Sequence, residues 1–211
     1  MKNYTYSNAN IEVTFDQRKC CHAAHCFKEL PDVFDGDIDP PIRPDNASVE
    51  EIIRVVEMCP SSALTYRCIN PSYMDEQTPA KNEAVMSPRS PLFLRGDFLV
   101  KNEGQMNRVA LCRCGASKSK PFCDGSHFGI KFKGPAEAAE DDITEFESTG
   151  QVKLTPIENG PVAFSGKLTF KTRTGSVQYC REKGALCRCG ASENKPFCDA
   201  KHREIEFSTN T

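Results

Sequence analysis

Apolar and polar residues follow two different periods in the first seventy positions. Residues 11–15 (IEVTF) alternate apolar with polar side chains, which is typical of a strand with one buried face. Ser48 and Glu51 form a capping-box pattern, which predicts the start of a helix. The apolar face of that helix comprises Val49, Ile52, Ile53 and Val56. Residues 63–69 predict a second strand, so we expect one helix beside a small two-stranded sheet.

An internal repeat organises the rest of the chain. Residues 110–127 and 185–202 are identical at 14 of 18 positions, at an offset of 75. Each copy follows a β-prone run with a central glycine and precedes another short extended run, which begins at Ile130 or Ile205. The preceding runs are residues 91–100 and 161–170. A unit of a few strands and a loop folds poorly alone, so we expect the copies to pack as a pseudo-symmetric pair.

The cysteine content is the unusual feature of the composition. The 211 residues include 12 cysteines, and the polar residues 1–10 lack the apolar stretch of a signal peptide. Cytoplasmic thiols stay reduced. We therefore expect a cytoplasmic protein whose cysteines serve metal or redox chemistry rather than a disulfide framework.

Three cysteines and one histidine recur in each copy with the spacing Cys-x-Cys-x8-Cys-x3-His. The four positions that differ between the copies are not donors, which favours a role in ligation. The first set is Cys112, Cys114, Cys123 and His127, and the second set is Cys187, Cys189, Cys198 and His202. Three thiolates and one imidazole suit either a tetrahedral zinc site or a [2Fe–2S] cluster, and spacing alone leaves both open.

Local signals place these donors in tight turns. A glycine follows each Cys-x-Cys pair and eases the bend. The run 121–124 (PFCD) predicts the beginning of a helix, in which Asp124 caps free N–H groups and His127 lies on the first turn. The second copy predicts the same arrangement around Asp199.

The run CRCGAS…KPFCDGSH of the first copy resembles the CDGSH iron–sulfur family along its whole motif. The second copy ends in CDAKH and departs from the motif at two positions that are not donors. The resemblance implies one [2Fe–2S] cluster per motif, held by the three cysteines and the histidine of each set. It also implies an intertwined β-cap fold, in which tandem motifs form within one chain the pair that single-motif members form by dimerising.

The histidine ligand has two expected consequences. A neutral imidazole in place of a thiolate makes the cluster less negative, so its reduction is easier than in an all-cysteine site. The imidazole also competes for protons, so we expect acid lability and a pH-dependent potential.

The N-terminal cysteines follow another spacing. Cys20, Cys26 and Cys59 resemble the ligands of small single-cluster ferredoxins, most of all the divergent mono-cluster domain, over about residues 10–68. Bacterial ferredoxins have a further cysteine where this chain has Ala23. Three thiolates favour a [3Fe–4S] cluster. The rival is a [4Fe–4S] cluster with its fourth iron held by water, His22, His25, Cys21 or Cys68.

Several remaining residues have ordinary interpretations. Cys21, Cys68 and Cys180 are expected to be packing residues, and His22 and His25 to be loop residues.

Two basic positions recur inside the ligand loops, Arg113 with Arg188 and Lys120 with Lys195. They are either solvated charges, or groups that compensate the cluster charge or dock an acidic partner. Their place in the loops favours the second interpretation.

These patterns together predict an α+β protein with a half-ferredoxin-like domain and a β-rich tandem CDGSH pseudo-dimer. The predicted segments are the ferredoxin-like domain 1–72, a linker 73–88, the first CDGSH unit 89–134, a linker 135–155 and the second CDGSH unit 156–211.

Charge and motif content limit the function. A formal charge of −2 and a pI near 6.1 disfavour nucleic-acid binding, and no apolar run approaches the ~20 residues of a membrane span. No arrangement typical of a catalytic site stands out, so we do not expect an enzyme. We expect a monomeric electron-transfer protein with an unidentified redox partner. The alternatives are a carrier that donates clusters to an apo-acceptor and a zinc-binding interaction module.

Overall fold

The computed structural model describes residues 3–134 and 147–209, apart from the side chain of Gln178. The chain divides into two compact units, Met1–Gln77 and Thr78–Thr211. Most of the predicted linker 135–155 lies outside the described residues. Within the described ranges, no helix has the length and apolar character needed to cross a membrane.

The first unit is a three-stranded antiparallel sheet with two helices. Its elements are β1 (Asn3–Ser7), β2 (Ile11–Asp16), α1 (His25–Glu29), α2 (Val49–Glu57) and β3 (Leu64–Cys68), and the strand order is β1-β2-β3. The sequence predicted a sheet of two strands, and this prediction was wrong because β1 is a third strand. The side chains of β1 are mostly exposed and backbone pairing with β2 holds the strand, so it has no apolar pattern to reveal it.

The capping box at the start of α2 is confirmed. The Ser48 side chain accepts the N–H of Glu51 at 3.3 Å, and the Glu51 carboxylate accepts the Ser48 N–H at 3.0 Å. The buried face differs by one residue from the expected one, because Val55 is buried and Ile53 is only partly buried. This face packs on the sheet in a single apolar core.

Replacing Ser48 with alanine should destabilise the first unit by about 1 kcal/mol, because the N–H groups of the first turn lose their acceptor. Unfolding of the full chain in urea, followed by far-UV circular dichroism, measures the change. Ser72→Ala is the control, since this serine is exposed and lies outside any helix. Equal midpoints for the two variants would contradict the role of the cap.

The second unit is built mainly of strands. Its elements are β4 (Glu83–Met86), β5 (Leu92–Val100), β6 (Gly104–Leu111), β7 (Val152–Pro156), β8 (Val162–Thr172), β9 (Val177–Leu186) and α3 (Lys201–Glu204). Four of these strands close a circuit, with β4–β5 and β7–β8 antiparallel and β5–β7 and β4–β8 parallel. β6 and β9 pair with β5 and β8 on the outside of the circuit.

The circuit results from an exchange of strands between the two copies of the repeat. Phe98 of β5 pairs with Val152 of β7, and Thr169 of β8 pairs with Glu83 of β4. Each copy therefore places its first strand beside the central strand of the other copy, as the pseudo-symmetric pairing predicts. β4 lies within the segment 73–88 and β7 begins within 135–155, so parts of both predicted linkers are strands of the sheet.

The runs after the ligand motifs are not strands. Residues from Ile130 and Ile205 form turns, and both isoleucines are exposed. Each run instead folds back over its own ligand loop. The N–H of Phe132 donates to the His127 carbonyl at 3.2 Å, and the equivalent bond from Phe207 measures 3.0 Å. Both phenylalanine rings are buried by this turn.

Candidate metal centres

The two ligand loops are anchored at the ends of strands. Cys112 directly follows β6, and its N–H donates to the Pro121 carbonyl at 2.9 Å. The N–H of Cys123 donates to the Ala110 carbonyl at 2.8 Å. These bonds bring the third cysteine of the set beside the first. The loop after β9 repeats both bonds at the equivalent residues, at 2.8 Å each.

A serine and an aspartate brace each loop from inside. Ser117 Oγ donates to the Phe122 carbonyl at 2.6 Å. Asp124 accepts the N–H groups of Lys118 at 2.8 Å and Ser126 at 3.0 Å, so it binds free N–H groups as predicted, although these belong to turns and not to a helix. Burial opposes ionisation of Asp124, but the hydrogen bonds outweigh it and lower the pKa of this carboxyl. The second copy repeats this bracing.

The predicted helix forms in one copy only. Residues Lys201–Glu204 are the helix α3, whereas the equivalent residues of the first copy form turns. The first copy has two glycines, Gly125 and Gly129, in this stretch, while the second has Lys, Arg and Glu, which favour a helix.

Within each loop the donors form two pairs. Cys112 Sγ lies 3.8 Å from Cys114 Sγ, and Cys123 Sγ lies 3.3 Å from His127 Nδ1. The second copy has the same two distances, 3.8 Å and 3.3 Å. A tetrahedral metal with thiolates at about 2.3 Å places two sulfurs about 3.8 Å apart. Each pair can therefore bind one metal ion through two of its four positions.

In the part of the chain that the structure describes, no three His, Cys, Asp or Glu side chains are arranged to hold a single metal ion. All 12 cysteines lie in that part and are free thiols. Each loop thus contains two donor pairs.

Neighbouring groups lower the pKa of the Cys112 thiol. The thiol of Cys114 donates to its sulfur and outweighs burial, which lowers the pKa of Cys112 to about 6, and the N–H groups of Ser117 and Gly115 add to the effect. The pKa of Cys114 is raised in turn. The thiolate is the form that binds metal, so these hydrogen bonds favour the ligating form of Cys112.

The two ligand loops touch each other through their glycines. Gly115 has φ +81°, and a Cβ atom there would lie 2.5 Å from the carbonyl oxygen of Cys189. Gly190 has φ +86°, and its Cβ would lie 2.7 Å from the carbonyl oxygen of Cys114. Each Cys-x-Cys-Gly turn therefore packs directly against a ligand residue of the other copy, so the two centres share one wall.

The arginines inside the loops are buried. Arg113 is 4% exposed and Arg188 is 3% exposed, which excludes both solvated charge and docking to a partner. Arg113 donates to the Ser87 carbonyl at 3.2 Å, and its guanidinium lies 5.8 Å from the centre of the Phe132 ring. Arg188 has equivalent carbonyl and ring partners.

Each buried arginine faces a thiol of the other copy. Burial lowers the pKa of Arg113 and the Cys187 thiol opposes that change, while Cys112 has the same effect on Arg188. Arginine keeps its charge at any physiological pH. The pair therefore supplies fixed positive charge beside both ligand sets, which leaves charge compensation as the supported interpretation.

The lysines of the loops have separate contacts. Lys120 Nζ lies 5.8 Å from the centre of the Phe207 ring, and Lys195 donates to the Ser192 carbonyl.

The two centres differ in exposure. His127 is 5% exposed, and the ring of Phe128 lies over it at 4.0 Å between centroids. His202 is partly exposed, and its neighbour in the chain is Arg203 rather than a phenylalanine. Burial lowers the pKa of His127, with Asp124 opposing the change.

The three predicted N-terminal donors line one cavity. Its volume is about 520 Å³, and Cys20, Cys26 and Cys59 all lie on its wall. Burial raises the pKa of Cys26 to about 11, and the Cys59 thiol contributes to the rise. The Leu64 N–H donates to Cys59 Sγ at 3.5 Å.

The three remaining cysteines lie in different parts of the structure. Cys21 lies on the wall of the same cavity, next to Cys20 in the chain. Cys68 lies at the end of β3, where its thiol donates to the Met74 carbonyl at 3.3 Å, away from the cavity. Cys180 is partly buried on β9, 3.6 Å from the Thr169 hydroxyl.

Comparison with known proteins matches both units. The family described as divergent 4Fe-4S mono-cluster matches residues 6–68, and the family described as iron-binding zinc finger CDGSH type matches residues 89–128 and 159–203. The uncharacterized protein YjdI of Escherichia coli, from strain K12 and from O157:H7, is 34% identical over 62 residues. The alignment covers 29% of this chain and 82% of each relative. No solved structure matches the chain.

Proposed function

This chain belongs to the divergent 4Fe-4S mono-cluster family and carries two CDGSH-type iron-binding segments, and on that premise we propose that it is a three-cluster electron-transfer protein. The proposal assigns one [2Fe–2S] cluster to each CDGSH loop and one [3Fe–4S] or [4Fe–4S] cluster to the N-terminal cavity. The partner is a redox protein, and the chain acts as a monomer.

The pairing of donors carries the proposal for the CDGSH loops. A two-iron core has two tetrahedral metal positions, each of which needs two protein donors. The sulfur pair at 3.8 Å and the Sγ–Nδ1 pair at 3.3 Å supply two donors each. A zinc ion would need all four donors around one point. The presence of two such pairs in each loop is what favours a two-iron core over the zinc-binding interaction module.

The protein residues adjust the charge of each centre. When bound, such clusters supply one-electron redox chemistry. His127 and His202 each replace a negative thiolate with a neutral donor, and the buried Arg113 and Arg188 add positive charge beside the sulfurs. Both changes favour the reduced form, which carries more negative charge.

Replacing both His127 and His202 with cysteine should lower the reduction potential of the CDGSH centres by roughly 0.2 V, because each centre gains a negative ligand. A redox titration followed by visible absorbance measures the shift. Cys180→Ser is the control, since this residue lies outside the ligand loops. A potential equal to that of the control would contradict histidine ligation.

A second candidate function is transfer of [2Fe–2S] clusters to an apo-acceptor. The partial exposure of His202 favours it, because an accessible neutral ligand is the natural place for an acceptor to attack. The histidine-to-cysteine variant separates the two functions. Slower transfer to an apo-ferredoxin in that variant supports the carrier function, and an unchanged transfer rate rejects it.

A further inference from the structure

Cys21 shares the N-terminal cavity with the three predicted ligands. It is 5% exposed, and it lies on the same 520 Å³ cavity wall as Cys20, Cys26 and Cys59. It is not among the residues that form the adjacent apolar core. Cys21 is therefore a buried thiol on the wall of this cavity.

Cys21 and Cys59 are connected through one buried hydroxyl. Ser61 Oγ lies 3.7 Å from Cys59 Sγ and is also hydrogen bonded to the Cys21 side chain. Ser61 is itself 1% exposed. Two thiols that contact the same buried hydroxyl face the same region of the cavity.

Each of the four sulfurs also receives a backbone hydrogen bond. The donors are His22 to Cys20, Ala23 to Cys21, Phe27 to Cys26 and Leu64 to Cys59. Backbone N–H groups directed at sulfur are a general feature of iron–sulfur sites, where they stabilise negative thiolates. Cys21 thus lies beside a backbone N–H group, as Cys20, Cys26 and Cys59 do.

The competing fourth donors fit the cavity less well. His22 and His25 line it, but both residues are exposed. Cys68 is not on its wall. Cys21 is the buried candidate among the four.

We propose that Cys21 is the fourth protein ligand of the N-terminal cluster, so that the cavity holds a [4Fe–4S] cluster with four cysteine ligands. The inference rests on the proposed function, since it presumes a cluster in this cavity. On ligation, the Cys21 thiol releases its proton to solvent and its sulfur forms a bond to the fourth iron. Without that bond, the fourth iron dissociates as Fe²⁺, and a mild oxidant that takes one electron leaves an oxidised [3Fe–4S] cluster.

The test is EPR spectroscopy with iron analysis of the full chain, prepared anaerobically and then oxidised with a mild dye. Oxidised [2Fe–2S] and [4Fe–4S] clusters have paired spins, whereas oxidised [3Fe–4S] has a half-integer spin and gives a signal. The parent should be silent and hold about eight iron atoms per chain, the sum for two [2Fe–2S] clusters and one [4Fe–4S] cluster. Cys21→Ala should give about one spin and lose about one iron atom per chain.

Two further variants complete the design. Cys21→Ser keeps the size of the side chain and should also give the signal, so a folding defect of the alanine variant does not decide the result. Cys68→Ser removes a thiol outside the cavity and should match the parent. The inference is overturned by a full three-iron signal in the parent, or by silent Cys21 variants with unchanged iron. A parent without iron would overturn the proposed function and the inference with it.

Discussion

Replacing Gly115 with alanine is expected to destabilise the second unit and to lower the iron content of both CDGSH centres. The added Cβ would lie 2.5 Å from the Cys189 carbonyl oxygen, which is backbone and a ligand residue of the other copy. A positive φ costs alanine about 1–2 kcal/mol. Forcing an atom into a packed contact adds about 1–3 kcal/mol. The substituted residue lies in the first loop, so a loss of iron from the second centre would show that the contact between the loops is responsible.

Gly104→Ala is a matched control for this variant. Gly104 has φ +87°, close to the φ of Gly115, but no atom lies within 4 Å of its added Cβ. The control therefore has the backbone strain without the clash, and it should retain full iron. Urea unfolding and iron analysis compare the two proteins, and the reciprocal Gly190→Ala should resemble Gly115→Ala. If Gly115→Ala behaves like Gly104→Ala, the contact between the loops does not matter.

Acid should remove the two CDGSH clusters in two steps, with the second copy losing its cluster first. His202 is partly exposed, while His127 is covered by Phe128. Burial lowers the pKa of His127 below its ordinary 6.5, so this imidazole takes up a proton only at lower pH. The first centre should therefore persist as the pH falls through 6.5. Each step should remove roughly half of the visible absorbance of the two centres.

Exchanging the residues that follow the two histidines in the chain tests the cause of this difference. Arg203→Phe should slow the first step and Phe128→Arg should accelerate the second, while each ligand is kept. A lower pKa of His127 reduces its protonated fraction at a fixed pH, so the step of the first centre should be the slower one. Stopped-flow absorbance between pH 5 and pH 7 records both steps, a range chosen around the ordinary histidine value. A single step, or unchanged rates in both variants, would contradict the idea that Phe128 protects its centre.

In the N-terminal unit, local sequence patterns predict some elements and not others. The capping box and the apolar residues after Ser48 predict α2, and the structure confirms it, because a helix is determined by residues three and four apart. β1 was not predicted from the sequence, because most of its side chains are exposed and its stabilising contacts come from pairing with β2. The sequence names Cys21 only as one of several possible fourth ligands, and the structure places it on the same cavity wall as the three predicted donors.

The sequence by itself predicted the donor sets. Each set lies within sixteen residues, counted from Cys112 to His127, and turns of that length bring donors together through local hydrogen bonds. Only the tertiary structure decided how the two loops meet. The exchange of β4 and β7 depends on pairing between residues more than fifty positions apart, such as Phe98 with Val152. The contact of Gly115 with Cys189 also joins the two copies, and such long-range contacts depend on the whole sheet and not on any local pattern.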